Sequence, residues 1–381
     1  MAKRLKKIIT VTLIILVILV VAFIMILSNM DPTADYNESH EPTTDKTVTI
    51  ILIDGLSQEI FEECIENGSI PFFQNLINKS IYVNNGIGAF PSMTGYAFYP
   101  FITGMTGPHS GIYGLRWFDR SLDIGNLRNY VGRTNIQMNN DISDAYVNLF
   151  ELNHEYYTGS INTYMNRGVH HSLKTGWAHT TAKYAKESVF PTLRSVPFFG
   201  PSMAKDHFQH ETLVTDLAIE QLQNNPKVQW ITYPSLDAHN HVHGTDETYW
   251  ALLKHLDTEI GRFHDAIDSL GQKDRMLVVI SDHGILDVSN NVDVPAILLE
   301  ELGLNIERGP STHLDTDQLE DPLTDFVGDD GYFVINGNLS AYLYMRDPEK
   351  AGPVAWRKRL DPERLIQFPV NSGHVNLPSF L

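Results

Sequence analysis

The 381-residue chain is 43% hydrophobic, 10% aromatic and 19% charged, a globular composition that excludes disordered, collagen-like and disulfide-miniprotein classes. Its 28 Lys and Arg against 46 Asp and Glu give a formal charge of −18, which disfavours duplex nucleic acid, because phosphate-backbone affinity comes from clustered cations. A single cysteine, Cys64, excludes an internal disulfide, a thiolate zinc cage and an iron–sulfur cluster. With 16 histidines, most of them between His109 and His283 among acidic residues, any metal is held by oxygen and nitrogen.

Residues 1–27 stand apart from the rest. Lys3, Arg4, Lys6 and Lys7 precede an uncharged apolar run from Ile8 to Leu27, long enough at about 1.5 Å per residue to cross a bilayer. A cleavable signal peptide has a shorter apolar region, about 7–15 residues, that ends in small side chains. This run instead closes on Phe23-Ile24-Met25-Ile26-Leu27, so an uncleaved signal anchor is expected, basic end in the cytoplasm and the remainder outside. Residues 28–381 then carry 24 basic against 46 acidic residues, a formal −22. Residues 28–46 read as a polar linker, and 47–381 as one large domain without internal repeats.

From Thr47 the pattern alternates strands with helices. Thr47–Ile53 is a β-branched run of the kind buried on both faces of a parallel sheet. Ser57 is placed to cap a helix whose apolar side carries Ile60, Phe61, Cys64 and Ile65, which makes Cys64 a buried structural residue. A second strand is expected near Ile81–Val83, and others at Lys227–Tyr233 and Arg275–Ser281. Between the last two, Leu252, Leu256, Ile260, Phe263, Ile267 and Leu270 recur at intervals of three and four, an amphipathic helix. Strand–helix–strand order predicts an α/β fold, a mainly parallel central sheet flanked by helices, with ligands at the carboxyl edge of the strands.

That edge selects Asp54, Asp237 and the pair Asp282-His283. A lone strand-end Asp is commonly a turn residue, but three in one chain, with His241 four residues after Asp237, suit a divalent ion; a short loop at 237–241 is expected to present both. His239 and His243 are weaker candidates. In Phe90–Gly114, rich in glycine and hydroxyls, Thr94 precedes a helix expected to begin at Gly95–Tyr99. It is either a plain N-cap or a nucleophile activated by a neighbouring ion. Residues 125–200, with Tyr156, Tyr157, Tyr164, His170, His171, Trp177 and His179, read as either a candidate cap insertion or a packed insertion.

The succession Asp54-Gly55, Phe90-Pro91-Ser92-Met93-Thr94, Thr103-Gly104, Ser110-Gly111, Asp237-x-x-x-His241 and Ser281-Asp282-His283-Gly284 resembles the alkaline-phosphatase superfamily, in particular its nucleotide pyrophosphatase/phosphodiesterase branch and the bacterial members of it. The resemblance implies two divalent ions, zinc with manganese or magnesium as substitutes. Asp54, Thr94, Asp282 and His283 would hold one, with Thr94 as nucleophile; Asp237, His241 and a C-terminal histidine would hold the other. Two departures stand out. The position matching an Asn that helps hold a phosphate oxygen is Leu115, followed by Arg116, which either replaces it as a phosphate-binding cation or is structural. The last histidine lacks its usual surroundings: His374 is in about the right place, His313 comes early, and the ligand is read as either His374 or a residue beyond Leu381. The implied activity is hydrolysis of a small phosphodiester, nucleotide or lipid head group; a phosphomonoesterase and an inactive exported binding protein are the alternatives. A sulfatase would need a Cys/Ser-x-Pro-x-Arg motif, which is absent near the nucleophile region.

Overall fold

The computed structural model describes residues 46–105, 111–119, 126–130, 137–143, 146–173, 175, 207–287, 293–308, 331–336 and 340–345, with Leu16, Val17 and Leu19. The anchor is otherwise outside the described residues, as are His313, His374, Trp177 and His179. Among the described residues no helix is long and apolar enough to cross a membrane.

The chain divides into two compact units. The first contains residues up to Gly88 and Val147–Ile285. Its five-stranded sheet comprises β1 (Val48–Ile53), β4 (Thr158–Ile161), β5 (His171–Leu173), β6 (Val228–Tyr233) and β7 (Met276–Ile280), in the order β5-β4-β6-β1-β7. Every pairing is parallel. The expected α/β architecture is therefore borne out. β1 and β6 are apolar on both faces because both faces are covered, as a parallel sheet requires.

Helices α1 (Gln58–Glu66), α2 (Pro71–Lys79), α5 (His207–Leu222) and α7 (Glu247–Ser269) close one core with the sheet. α1 begins where the sequence placed its cap: the Ser57 hydroxyl accepts from the Ile60 N–H. The predicted amphipathic stripe is the buried side of α7 from Leu252 through Leu256, Ile260 and Phe263 to Ile267, in one core with Ile51, Phe73, Leu217 and Ile231, whereas Leu270 caps the helix and is exposed. Each such side chain contributes about 1.5–3 kcal/mol by leaving water. Cys64 is fully buried in the same core, as expected. At the amino edge, Arg275 donates to the carbonyls of Val48 and Pro226 and to Asn225, which satisfies polar groups where the strands begin.

Three expectations change. Ile81–Val83 is not a strand: Ile81 is 95% and Val83 67% exposed, and three β-formers between Ser80 and Asn84-Asn85-Gly86 find no ladder partner. Residues 158–161 and 171–173, inside the stretch read as a candidate cap, are strands of the main sheet, so that part is core. The 237–241 segment is not a loop but lies in helix α6 (Ser235–His243).

The second unit contains Ala89–Tyr146 and the chain from Leu286 onward. It holds α3 (Tyr99–Thr103), α4 (Gln137–Asp141), α8 (Val294–Leu302), the antiparallel pair β2 (Arg116–Asp119) and β3 (Asn126–Asn129), and a sheet of β8 (Ile306–Arg308), β9 (Gly331–Ile335) and β10 (Ala341–Met345). Phe118 N–H donates to the Tyr344 hydroxyl at 3.0 Å, fastening β2 to that sheet.

Glu211 on α5 is fully buried; one carboxyl oxygen accepts from the Ser235 N–H at 2.7 Å and the other has no hydrogen-bond partner. Burial raises its pKa from 4.5 to about 8, so the native state holds a proton that the unfolded chain has already lost. Stability is therefore greatest below pH 4.5 as far as this group is concerned, and declines as pH rises to about 8. Glu211→Gln is expected to remove that decline. Denaturant unfolding of both proteins at pH 5 and pH 8.5 checks this; a variant whose pH profile parallels the wild type would contradict it.

Candidate metal centre

The site is built first by strand register. Val48 faces Met276 and Leu52 faces Ile280, and the same offset carried two residues on puts Asp54 level with Asp282. On the other side Ile53 faces Tyr233, just before α6. Three adjacent strands, β6-β1-β7, thus deliver Asp237, Asp54 and Asp282-His283 to one carboxyl edge.

Hydrogen bonds then fix the loops. Asp54 N–H donates to the Tyr233 carbonyl at 3.0 Å, Leu56 N–H to the Ser281 hydroxyl at 3.3 Å, and the Ser281 hydroxyl to the His283 carbonyl at 2.8 Å. Gly55 turns the chain with φ +65°, and its N–H approaches Asp282 Oδ1 at 3.4 Å. A Cβ at position 55 would fall 2.9 Å from Asp237 Cβ, so the glycine permits the β1 turn and α6 to approach.

Among the described residues, Asp54, Asp282 and His283 form the one group of three acid or imidazole side chains whose ligand atoms lie within 4.8 Å of one another. His283 Nδ1 is 3.0 Å from the Gly284 carbonyl, which can only accept, so Nδ1 carries a proton. Nε2 then points at Asp54 Oδ1 and Asp282 Oδ2, each at 3.4 Å. An imidazole lone pair aimed at two carboxylates is repulsive unless a cation or a proton lies among them. Asp282 Oδ2 is also buried without a hydrogen bond, and burial raises the Asp282 pKa. An orphaned carboxylate oxygen beside an outward imidazole lone pair fits a divalent ion.

Asp237 and His241 lie one turn apart on α6, with Oδ2 and Nε2 3.1 Å apart. The hydrogen bond to Asp237 raises the His241 pKa against the opposing effect of burial. They are brought together by helical i,i+4 geometry, in place of the expected loop. His239, on the same helix, is turned inward instead and reaches Asp246 at 2.7 Å.

In the second unit, Thr94 occupies a turn and is half-buried. The helix expected from Gly95 begins as a 3₁₀ turn at Tyr96–Phe98 and continues as α3; Gly95, at φ +81°, takes the cap position rather than Thr94. Leu115 N–H contacts Met93 Sδ at 3.2 Å, which brings the Thr94 turn alongside the Leu115-Arg116 segment. The Arg116 guanidinium is half-buried, its Nε has no hydrogen-bond partner, and burial lowers its pKa. Asn336, fully buried after β9, accepts from the Arg116 N–H at 2.9 Å and fills the space where a side chain on Gly114 would be.

Three residues escaped sequence reading. Tyr249, three positions after the Asp246 that caps α7, is fully buried and holds the Gly55 turn. Tyr164, read with the insertion, follows β4, and the charges of Asp54, Asp237 and Asp282 add to burial in raising its pKa. Asn336 lies more than 200 residues from the segment it braces. The periodicity of α7 could have flagged Tyr249; tertiary contacts alone reveal the other two.

The sequence matches the family of type I phosphodiesterases and nucleotide pyrophosphatases over residues 48–346. The chain belongs to that family, as its motifs implied. No protein of curated function matches it. Among solved structures it is similar to murine ectonucleotide pyrophosphatase/phosphodiesterase 5, at 15% identity and a TM-score of 0.45, covering 64% of this chain and 59% of that one. It is similar also to phosphonoacetate hydrolase from Sinorhizobium meliloti in complex with phosphonoacetate, at 15% identity and a TM-score of 0.47, covering 69% of this chain and 63% of that one. The match thus spans less than two thirds of the length of either solved chain.

Gly55→Ala is expected to destabilise the protein by more than the roughly 1–2 kcal/mol of a left-handed residue, because its Cβ also displaces Asp237. Gly271→Ala, at φ +73° in open space, bears the backbone strain alone. Denaturant unfolding compares the two; equal losses would contradict the close approach.

Proposed function

We propose that the protein is a metal-dependent hydrolase of phosphate esters, most readily of small phosphodiesters. The observation that carries this reading is the Asp54/Asp282/His283 cluster, with its orphaned carboxylate oxygen, in a chain of the type I phosphodiesterase family. Asp54, Asp282 and His283, with Thr94, would hold one divalent ion, zinc in the first instance. Asp237, His241 and His374 would hold a second. Such ions supply Lewis acidity that favours the ionised Thr94 hydroxyl, polarises a phosphoryl oxygen and lowers the pKa of water.

In this reading Thr94 Oγ attacks phosphorus, its proton going to solvent, and the bond from phosphorus to the leaving oxygen breaks. The leaving alcohol takes a proton from solvent. Water then attacks the phosphorylated Thr94, returning the hydroxyl and releasing a phosphomonoester. Arg116, half-buried without a partner at Nε, would meet a non-bridging phosphate oxygen. His283 is held by its Nδ1–H on Gly284, so its Nε2, facing Asp54 and Asp282, keeps one orientation throughout.

The substrate class we favour is a small diester, nucleotide or lipid head group, because the formal −22 of residues 28–381 opposes polyanions. The apolar run Ile8–Leu27 and its basic flank support a single-pass anchor with the catalytic part outside the cytoplasm.

Hydrolysis of a bis-aryl phosphate and an aryl phosphate monoester by the full-length zinc-loaded chain tests this reading. Diester hydrolysis should exceed monoester hydrolysis and fall by about two orders of magnitude or more in Thr94→Ala. A faster monoester rate would make the protein a phosphomonoesterase. Equal, negligible rates for wild type and variant would make it a binding protein.

A further inference from the structure

The first turn of α7 is hydrogen-bonded to two of the three ligand-bearing elements of the first unit. Asp246 Oδ1 accepts from the Thr248 N–H at 2.9 Å and the Tyr249 N–H at 3.1 Å, which starts the helix. The same oxygen lies 2.7 Å from His239 Nε2, and His239 stands between Asp237 and His241 on α6. Three residues along, the buried Tyr249 hydroxyl donates to the Gly55 carbonyl at 2.9 Å and accepts from the Ser57 N–H at 2.9 Å. Gly55 follows the ligand Asp54, its N–H faces Asp282, and it packs against Asp237. One helical turn is therefore hydrogen-bonded to the β1 turn through Tyr249 and to α6 through Asp246.

We infer that Tyr249 and Asp246 are positioning residues that together set the spacing between the Asp54/Asp282/His283 cluster and the Asp237/His241 pair. This rests on the metal-binding reading above and assigns it a brace. A helix cap ordinarily needs only the helix's own N–H groups, and a buried tyrosine ordinarily needs one partner for its hydroxyl. Here the cap oxygen also takes an imidazole from α6, and the phenol closes a turn between a metal ligand and the cap of α1. Neither residue would touch an ion. Both act through the backbone or an intervening imidazole, as the outer partners of metal ligands do.

The test compares Tyr249→Phe and Asp246→Asn with Thr49→Val in the full chain. Phe keeps the ring and its packing; Asn keeps the oxygen that caps α7 and loses the charge that holds His239. Thr49→Val removes a buried hydrogen bond to Gln229 at the opposite edge of the same sheet. Zinc affinity is measured by competition with a chromophoric chelator, and thermal stability is measured on the metal-free chain. The brace predicts a ten- to hundredfold weaker zinc affinity in Tyr249→Phe and a smaller loss of the same sign in Asp246→Asn. It predicts that Thr49→Val lowers metal-free stability with zinc affinity within about twofold of wild type. Wild type that binds zinc together with a Tyr249→Phe variant of unchanged affinity overturns the brace and spares the metal reading. The brace is equally overturned if Thr49→Val weakens zinc as much as Tyr249→Phe, because the effect then follows fold stability. A wild-type chain that binds no zinc overturns both.

Discussion

The burial of carboxylates close together at one sheet edge is the constraint on which the first unit depends. Asp54 and Asp282 are buried and share the neighbourhood of Asp237 and Tyr164. Two like charges about 4 Å apart cost roughly 1 kcal/mol in water and about 4 kcal/mol at the effective dielectric of a protein surface, before any cost of burial. The chain accepts this because the parallel sheet and the helices α1, α2, α5 and α7 are held by a continuous apolar core. Burial is the main cause of the raised Asp282 pKa, the charge of Asp237 adds to it, and a bound divalent cation would offset both.

Much of this was legible in sequence, for identifiable reasons. β1, β6 and β7 are β-branched runs with acids at their ends, and the register that levels Asp54 with Asp282 follows from strands that end together. The α7 stripe had an unambiguous period of three and four. The Ile81–Val83 run failed because β-propensity alone does not supply a partner strand. β4 and β5 were missed because strands of four and three residues carry too little alternation to separate them from an insertion. His241 stood out from His239 by its spacing of four from Asp237, and α6 sends His239 inward to Asp246 and His241 beside Asp237. Tyr164 and Asn336 gain their meaning only from contacts distant in sequence, which no local pattern encodes.

The second unit has its own logic. Thr94 is fixed by a glycine in the left-handed region and by the Met93–Leu115 contact, and Arg116 is half-buried with its Nε unpartnered. In the proposed chemistry the carboxylates recruit cations, while Arg116 and Thr94 serve the phosphate itself. Placing the two tasks on two separately packed elements lets each charge be desolvated in its own surroundings.

The most direct test of the central claim is zinc per chain, measured by elemental analysis after equilibration in excess zinc and removal of the free ion. The wild type, Asp282→Ala and Asp237→Ala are compared. The account predicts two ions in the wild type and one in each variant, since each substitution removes one ligand set and leaves the other. No bound zinc in the wild type, or variants that retain both ions, would contradict it.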